Sequence, residues 1–80
     1  MTEALLERIV VDPNVMVGKP VIRGTRVPVE LVVRMVAQRI PEQEILREYP
    51  RLVSEDIRAA LTYAAEVVAQ EDIFPITAGG

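Results

Sequence analysis

The stretch "GKPVIRGTRVPV", Gly18 to Val29, sets two arginines on either side of a Gly-Thr pair. Glycine at the first central position suits a type II′ two-residue turn, with Gly24-Thr25 at its centre. In that register Arg23 stands directly across from Arg26 on one face of a very short hairpin, and Ile22 across from Val27 on the other. Like charges facing each other cost roughly a few tenths of a kcal/mol or more. The cost disappears when the pair meets an anion, because guanidinium forks bind phosphate or carboxylate clusters. The alternative is that both side chains run out into water or pair with acids of a neighbouring helix. Lys19 completes the cationic set expected to meet a partner or anion, although taken singly it reads as a solvated loop cation.

A second set, Arg51, Arg58, Thr62 and Tyr63, would supply the nucleic-acid contacts of a helix-turn-helix. Charge opposes this: Glu55 and Asp56 occupy the first turn of the would-be recognition helix, and residues 40–80 carry a net of −5. Phosphate neutralisation supplies most non-specific affinity, so a structural role for that helix competes with groove reading. The carboxylates Glu44 and Glu48 stand at i, i+4 but have no histidine or second loop beside them, and read as a solvated face. Gly18-Lys19 echoes the end of a phosphate loop but fails it: Pro13 replaces the first glycine and Pro20 the Ser or Thr that would hold magnesium.

The chain has no Cys and no His. Disulfides, thiolate nucleophiles, the usual zinc sites and imidazole acid–base catalysis are therefore closed to it. The expectation is a protein that is not an enzyme and takes no cofactor or metal. The start "MTEALLERIVV" carries acids where a signal peptide carries cations, and no apolar run approaches the roughly 18 residues of a membrane span. A soluble cytoplasmic protein without a membrane partner is expected.

Charge is distributed unevenly in a chain of net −3: residues 1–17 carry −2, residues 18–39 carry +4, and the remainder −5. Half the residues are hydrophobic and 4% aromatic, so the core must be built from Val, Ile, Leu and Ala. Eighty residues make one domain, marginal alone, with apolar surface to give to a second copy.

The elements that must hold these residues follow from pattern. "RIVV", Arg8–Val11, reads as a strand ended by Asp12-Pro13, and Pro20 to Pro28 as the hairpin, giving a β-region over 8–28. "VELVVRMVAQR" reads as a helix with Glu30, Arg34 and Gln38 on one polar stripe. Its remaining surface is so apolar that Leu31, Val32, Val33, Met35 and Val36 are expected in a homodimer interface. "PEQEILRE" starts a short second helix at Pro41, stopped by Pro50. Ser54 is placed to cap a third, "EDIRAALTYAAEVVAQ", whose inner face is expected to be Ile57, Ala60, Leu61, Ala64 and Val68. Three helices over 29–70 make a tri-helical helix-turn-helix, and 71–80 a loose tail.

From Val11 to Glu66, about 70% of the chain, the sequence closely resembles the domain of unknown function 433 family of small prokaryotic proteins. "GKPVIRGTRVPV", "PEQEILREYPRL" and "EDIRAALTYAAE" carry the likeness. The resemblance implies a short N-terminal β-region before a homeodomain-like helix-turn-helix bundle, mainly α, and a dimer. It also implies a VapB-type antitoxin paired with a PIN-domain-like ribonuclease toxin. Operator DNA, bound in autorepression, is a further expected partner. Where the family often has Ser before the proline of the second helix, this chain has Ile40, and its last ten residues fall outside the motif. A stand-alone helix-turn-helix regulator and a dimeric adaptor that does not bind DNA are the alternatives.

Overall fold

A computed structural model describes residues 2–70. The expected tail 71–80 lies outside the described residues. The order of elements is α1 (Thr2–Leu6), β1 (Ile9–Val11), a 3-10 turn (Met16–Gly18), β2 (Pro20–Ile22), α2 (Val29–Ala37), α3 (Glu42–Glu48) and α4 (Ser54–Gln70). The chain is thus mainly helical, with one short antiparallel hairpin near its start.

That hairpin is not the expected one. β1 pairs with β2, Ile9 opposite Ile22 and Val11 opposite Pro20, so the strand pairing spans the Asp12–Lys19 connection. β-branched residues on both arms favour the pairing. Asp12 nucleates the connection as an Asx turn: its Oδ1 accepts the Asn14 N–H at 2.8 Å and its carbonyl accepts Val15 N–H at 2.9 Å. The turn then passes through three consecutive residues of positive φ, Met16 (52°), Val17 (56°) and Gly18 (80°). A β-branched residue in the left-handed region is strained, typically by about 1–3 kcal/mol.

The Gly24 turn is also set one residue earlier than expected. Thr25 N–H donates to the Ile22 carbonyl at 3.0 Å, so Arg23-Gly24 are the central pair, with Gly24 at φ 78° in the third position. This is where a type II turn requires positive φ. Thr25 locks the register: its hydroxyl donates to the Ile22 carbonyl at 2.7 Å and accepts Val27 N–H at 3.0 Å. Arg23 and Arg26 therefore do not face each other as a cross-strand pair. Ile22 N–H still meets the Val27 carbonyl at 3.0 Å, and both side chains turn to the core. Beyond it, strand character is reduced to a single bridge between Val21 and Pro28.

α2 ends two residues before its expected limit. Arg39 takes φ 65°, and the Arg39 and Ile40 N–H groups donate to the carbonyls of Val36 and Met35. This is a Schellman ending with an arginine where glycine is usual; Ile40 folds back onto the core beside Met35. Pro41 then opens α3, its carbonyl accepting Glu44 and Ile45 N–H, and Ile45 is the anchor that α3 buries.

α4 packs against both α1 and α2. Wedged between two neighbours, it buries two adjacent stripes, Asp56 with Ala60 and Ala59 with the half-buried Tyr63, as well as Ile57. The expected inner face is corrected accordingly. Leu61 is 38% exposed, lying off the two buried stripes, and Val68 is 68% exposed, because α4 runs on past the elements that cover its first half. The cap differs too. Ser54 is the first helical residue, and Asp56 Oδ2 reaches back to accept Val53 N–H at 3.0 Å, half of a capping box. The core comprises Ile22, Val29, Val32, Met35, Ile45, Leu52, Ile57 and Ala60, aliphatic apart from the thioether of Met35.

Candidate functional site

Because α3 and α4 are joined by the tight segment Tyr49–Val53, Arg51 is carried to the tip of the Ile22–Thr25 turn. Its Nη1 donates to the Gly24 carbonyl at 3.3 Å. Arg23 is held from the opposite side. Its backbone N–H donates to the Arg8 carbonyl at 2.7 Å and its Nε to the Glu7 carbonyl at 2.8 Å. Together with Arg26 they line one open cleft of about 560 Å³, whose lining also includes Val10, Asp12, Val15 and Val21. Three arginines thus line one cleft where sequence spacing places two together.

Each of the three is exposed, and among the described residues none forms a salt bridge. Arg23 and Arg51 have each committed a single donor to a backbone carbonyl, which restrains the side chain and leaves most of its fork available. An exposed, partly pre-ordered guanidinium cluster is suited to binding an oxyanion or carboxylate group. Asp12 and Thr25 share the lining of the cleft: the Asp12 carboxylate accepts the Asn14 N–H, and the Thr25 hydroxyl is engaged with the Ile22 carbonyl and the Val27 N–H.

Lys19 does not join them. Its Nζ lies 3.6 Å from Glu30 Oε1, and Arg34 donates to Glu30 Oε2 at 2.9 and 3.2 Å. The Arg34 hydrogen bonds, reinforced by the Lys19 charge, hold the Glu30 carboxyl below its ordinary value of 4.5. Lys19 thereby edges a separate apolar groove of about 460 Å³, between the start of α2 and the far half of α4. Tyr63 lines that groove while packing on the core, and Thr62 is half-buried. Arg58 is exposed on α4. The expected nucleic-acid set is therefore divided, with Arg51 at the arginine cleft and Tyr63 in the groove.

The interface expected on α2 is also reduced. Val32 (0% exposed) and Met35 (8%) are inside the chain's own core. Leu31, Val33 and Val36 keep partial exposure. Among the described residues, no helix is long and apolar enough to cross a membrane.

One contact that sequence reasoning missed ties the site together. Arg8 Nη1 donates to Asp56 Oδ1 at 3.0 Å. The segment Glu7–Arg8, whose carbonyls hold Arg23, is by this bond pinned to the start of α4. Asp56 lies 48 residues away in sequence, and nothing local signals the pairing.

Comparison with known proteins agrees with this architecture. Over 30 residues the chain is 67% identical to an uncharacterised protein of Archaeoglobus fulgidus, covering 38% of this chain and 83% of that one. It is 41% identical over 61 residues to the uncharacterised protein y4eO of Sinorhizobium fredii, 76% of this chain, but spans only 28% of that relative's length. Among solved structures, a DUF433 member protein from Anabaena variabilis superposes with a TM-score of 0.73 at 37% identity, covering 85% of this chain and 67% of the other. The family model described as "Protein of unknown function (DUF433)" matches residues 9–64, from β1 into α4, and the chain belongs to that family.

Proposed function

We propose that this chain is a non-enzymatic binding protein, an antitoxin-like member of a type II toxin–antitoxin pair that neutralises a PIN-domain-like ribonuclease in the cytoplasm. The observation that carries this reading is that Arg23, Arg26 and Arg51 line one cleft in a chain of net −3. A nuclease of that type holds its metal with carboxylates, and guanidinium forks match carboxylates in charge and geometry. Occupying such a site removes its activity without any chemistry by the inhibitor. Leu31, Val33 and Val36 would close a homodimer, which an 80-residue aliphatic domain gains stability by forming.

A second reading, a homeodomain-like helix-turn-helix regulator that binds operator DNA, is favoured by one observation. α3 and α4 are joined by a short turn and leave Arg47 and Arg58 exposed. The exposed Glu55 at the start of α4 opposes it.

The test is co-purification of the tagged chain expressed from its native locus. A PIN-like nuclease should be retained and its ribonuclease activity suppressed, and Arg23→Gln/Arg26→Gln/Arg51→Gln should release both. Absence of a nuclease, or retention by the folded triple variant, overturns the reading. Specific duplex binding that depends on Arg58 would install the second reading in its place.

A further inference from the structure

Val15, which lines the arginine cleft, leads directly into the left-handed turn Met16-Val17-Gly18. Val17 holds φ 56° and ψ 41°, a conformation that suits glycine or asparagine and not a β-branched residue. The turn is held by Gly18 N–H to the Val15 carbonyl and Lys19 N–H to the Met16 carbonyl, both 3.1 Å. Packing does not account for the valine, since its side chain is 94% exposed. Val11 and Met16 are also exposed at this end of the hairpin. Single exposed apolar residues are ordinary, but a cluster presented on a strained backbone marks a contact surface.

We propose that Met16 and Val17 form the apolar half, and Arg23, Arg26 and Arg51 the cationic half, of one docking surface for an acidic protein. The partner carries a small apolar pocket flanked by carboxylates. A duplex backbone supplies anions but no apolar pocket for Val17, so a protein is the occupant that satisfies both halves. This rests on the reading that the cleft takes an acidic protein, and it adds the knob that selects which one. Apolar burial supplies affinity at the tip, while the guanidinium groups fix orientation and exclude non-acidic surfaces.

The experiment uses the full chain with Val17→Asn and Val17→Gly, both of which tolerate positive φ. Their melting temperatures should equal or exceed that of the parent; a clear fall would make Val17 structural and overturn the proposal. Calorimetric titration of the co-purified nuclease should show binding weakened by about tenfold or more in Val17→Asn, the scale of a buried interface anchor. It should also weaken with salt and in Arg23→Gln/Arg26→Gln/Arg51→Gln. Unchanged binding by both Val17 variants overturns the proposal while leaving the antitoxin reading intact. Where no nuclease co-purifies, a photo-crosslinking amino acid at position 17 of the full chain serves in cells. An acidic protein identified in the product, whose purified binding is lost in both Val17→Asn and the arginine triple, sustains the docking surface and sinks the nuclease reading. Cross-links to nucleic acid, to other copies of the chain, or to nothing overturn the proposal.

Discussion

Breaking the Arg8–Asp56 pair tests whether the β-region and α4 fold as one unit. The Asp56 side chain is 8% exposed and the Arg8 side chain 41%, so the carboxylate is desolvated while the guanidinium is partly screened. Removing one partner of a fully buried pair costs about 3–5 kcal/mol, and an exposed pair contributes about 0–1 kcal/mol. The intermediate burial places Arg8→Met at about 2 kcal/mol, since Asp56 keeps the Val53 N–H. Asp56→Ala leaves an arginine that can rehydrate but also removes the α4 cap, worth about 1 kcal/mol, for a similar total of about 2 kcal/mol. Each single variant should melt roughly 8–16 °C lower, taking about 4–8 °C per kcal/mol for a domain of this size. The double variant should lose only about 3 kcal/mol, a coupling of about 1 kcal/mol. Urea denaturation followed by far-UV circular dichroism measures all four states of the cycle. A coupling within about 0.5 kcal/mol of zero would refute the pairing as a stabilising link. Two separate transitions in the parent would refute the single unit.

Arg39→Gly should raise stability by about 0.5–1 kcal/mol by removing the left-handed strain at the end of α2, read from the same denaturation curves; a loss would mean that the arginine side chain contributes more than its backbone costs. Glu30 should titrate below the ordinary carboxylate value of 4.5 in NMR experiments, and Arg34→Gln should move it back toward 4.5. Because the folded value is depressed, its stabilising effect is present at neutral pH and disappears as pH falls through that depressed value. Arg26→Gln should leave the melting temperature unchanged, whereas Arg23→Gln should cost about 0.5–1 kcal/mol through the lost bond to the Glu7 carbonyl; equal costs would contradict the different tethering of the two.

The sequence by itself determined what is decided within a few residues. Pro41 and Pro50 bound α3 because proline opens a helix readily and stops one firmly, and the 3.6-residue pattern of Val29–Ala37 sets α2 against the core. The missing Cys and His closed whole classes of chemistry, and the charge map located the basic middle. The local pattern "IRGTR" pointed to a tight turn, but two turn types share that composition. Only the Thr25 hydroxyl bonds to Ile22 and Val27 selected between them, and with them the placement of Arg23 and Arg26. Tertiary structure alone decided the rest. Which face α4 buries depends on being wedged between α1 and α2, and a hydrophobic repeat cannot say how far neighbours extend along a helix. Val32 and Met35 read as dimer residues because apolar surface looks the same whether its own chain or another covers it. Lys19 joined Glu30 while Arg51 joined Gly24 across 27 positions, because long flexible side chains find partners set by the packing of distant elements. The arginine cleft exists through that packing: it is assembled from the hairpin and the α3–α4 turn, and neither segment holds it alone.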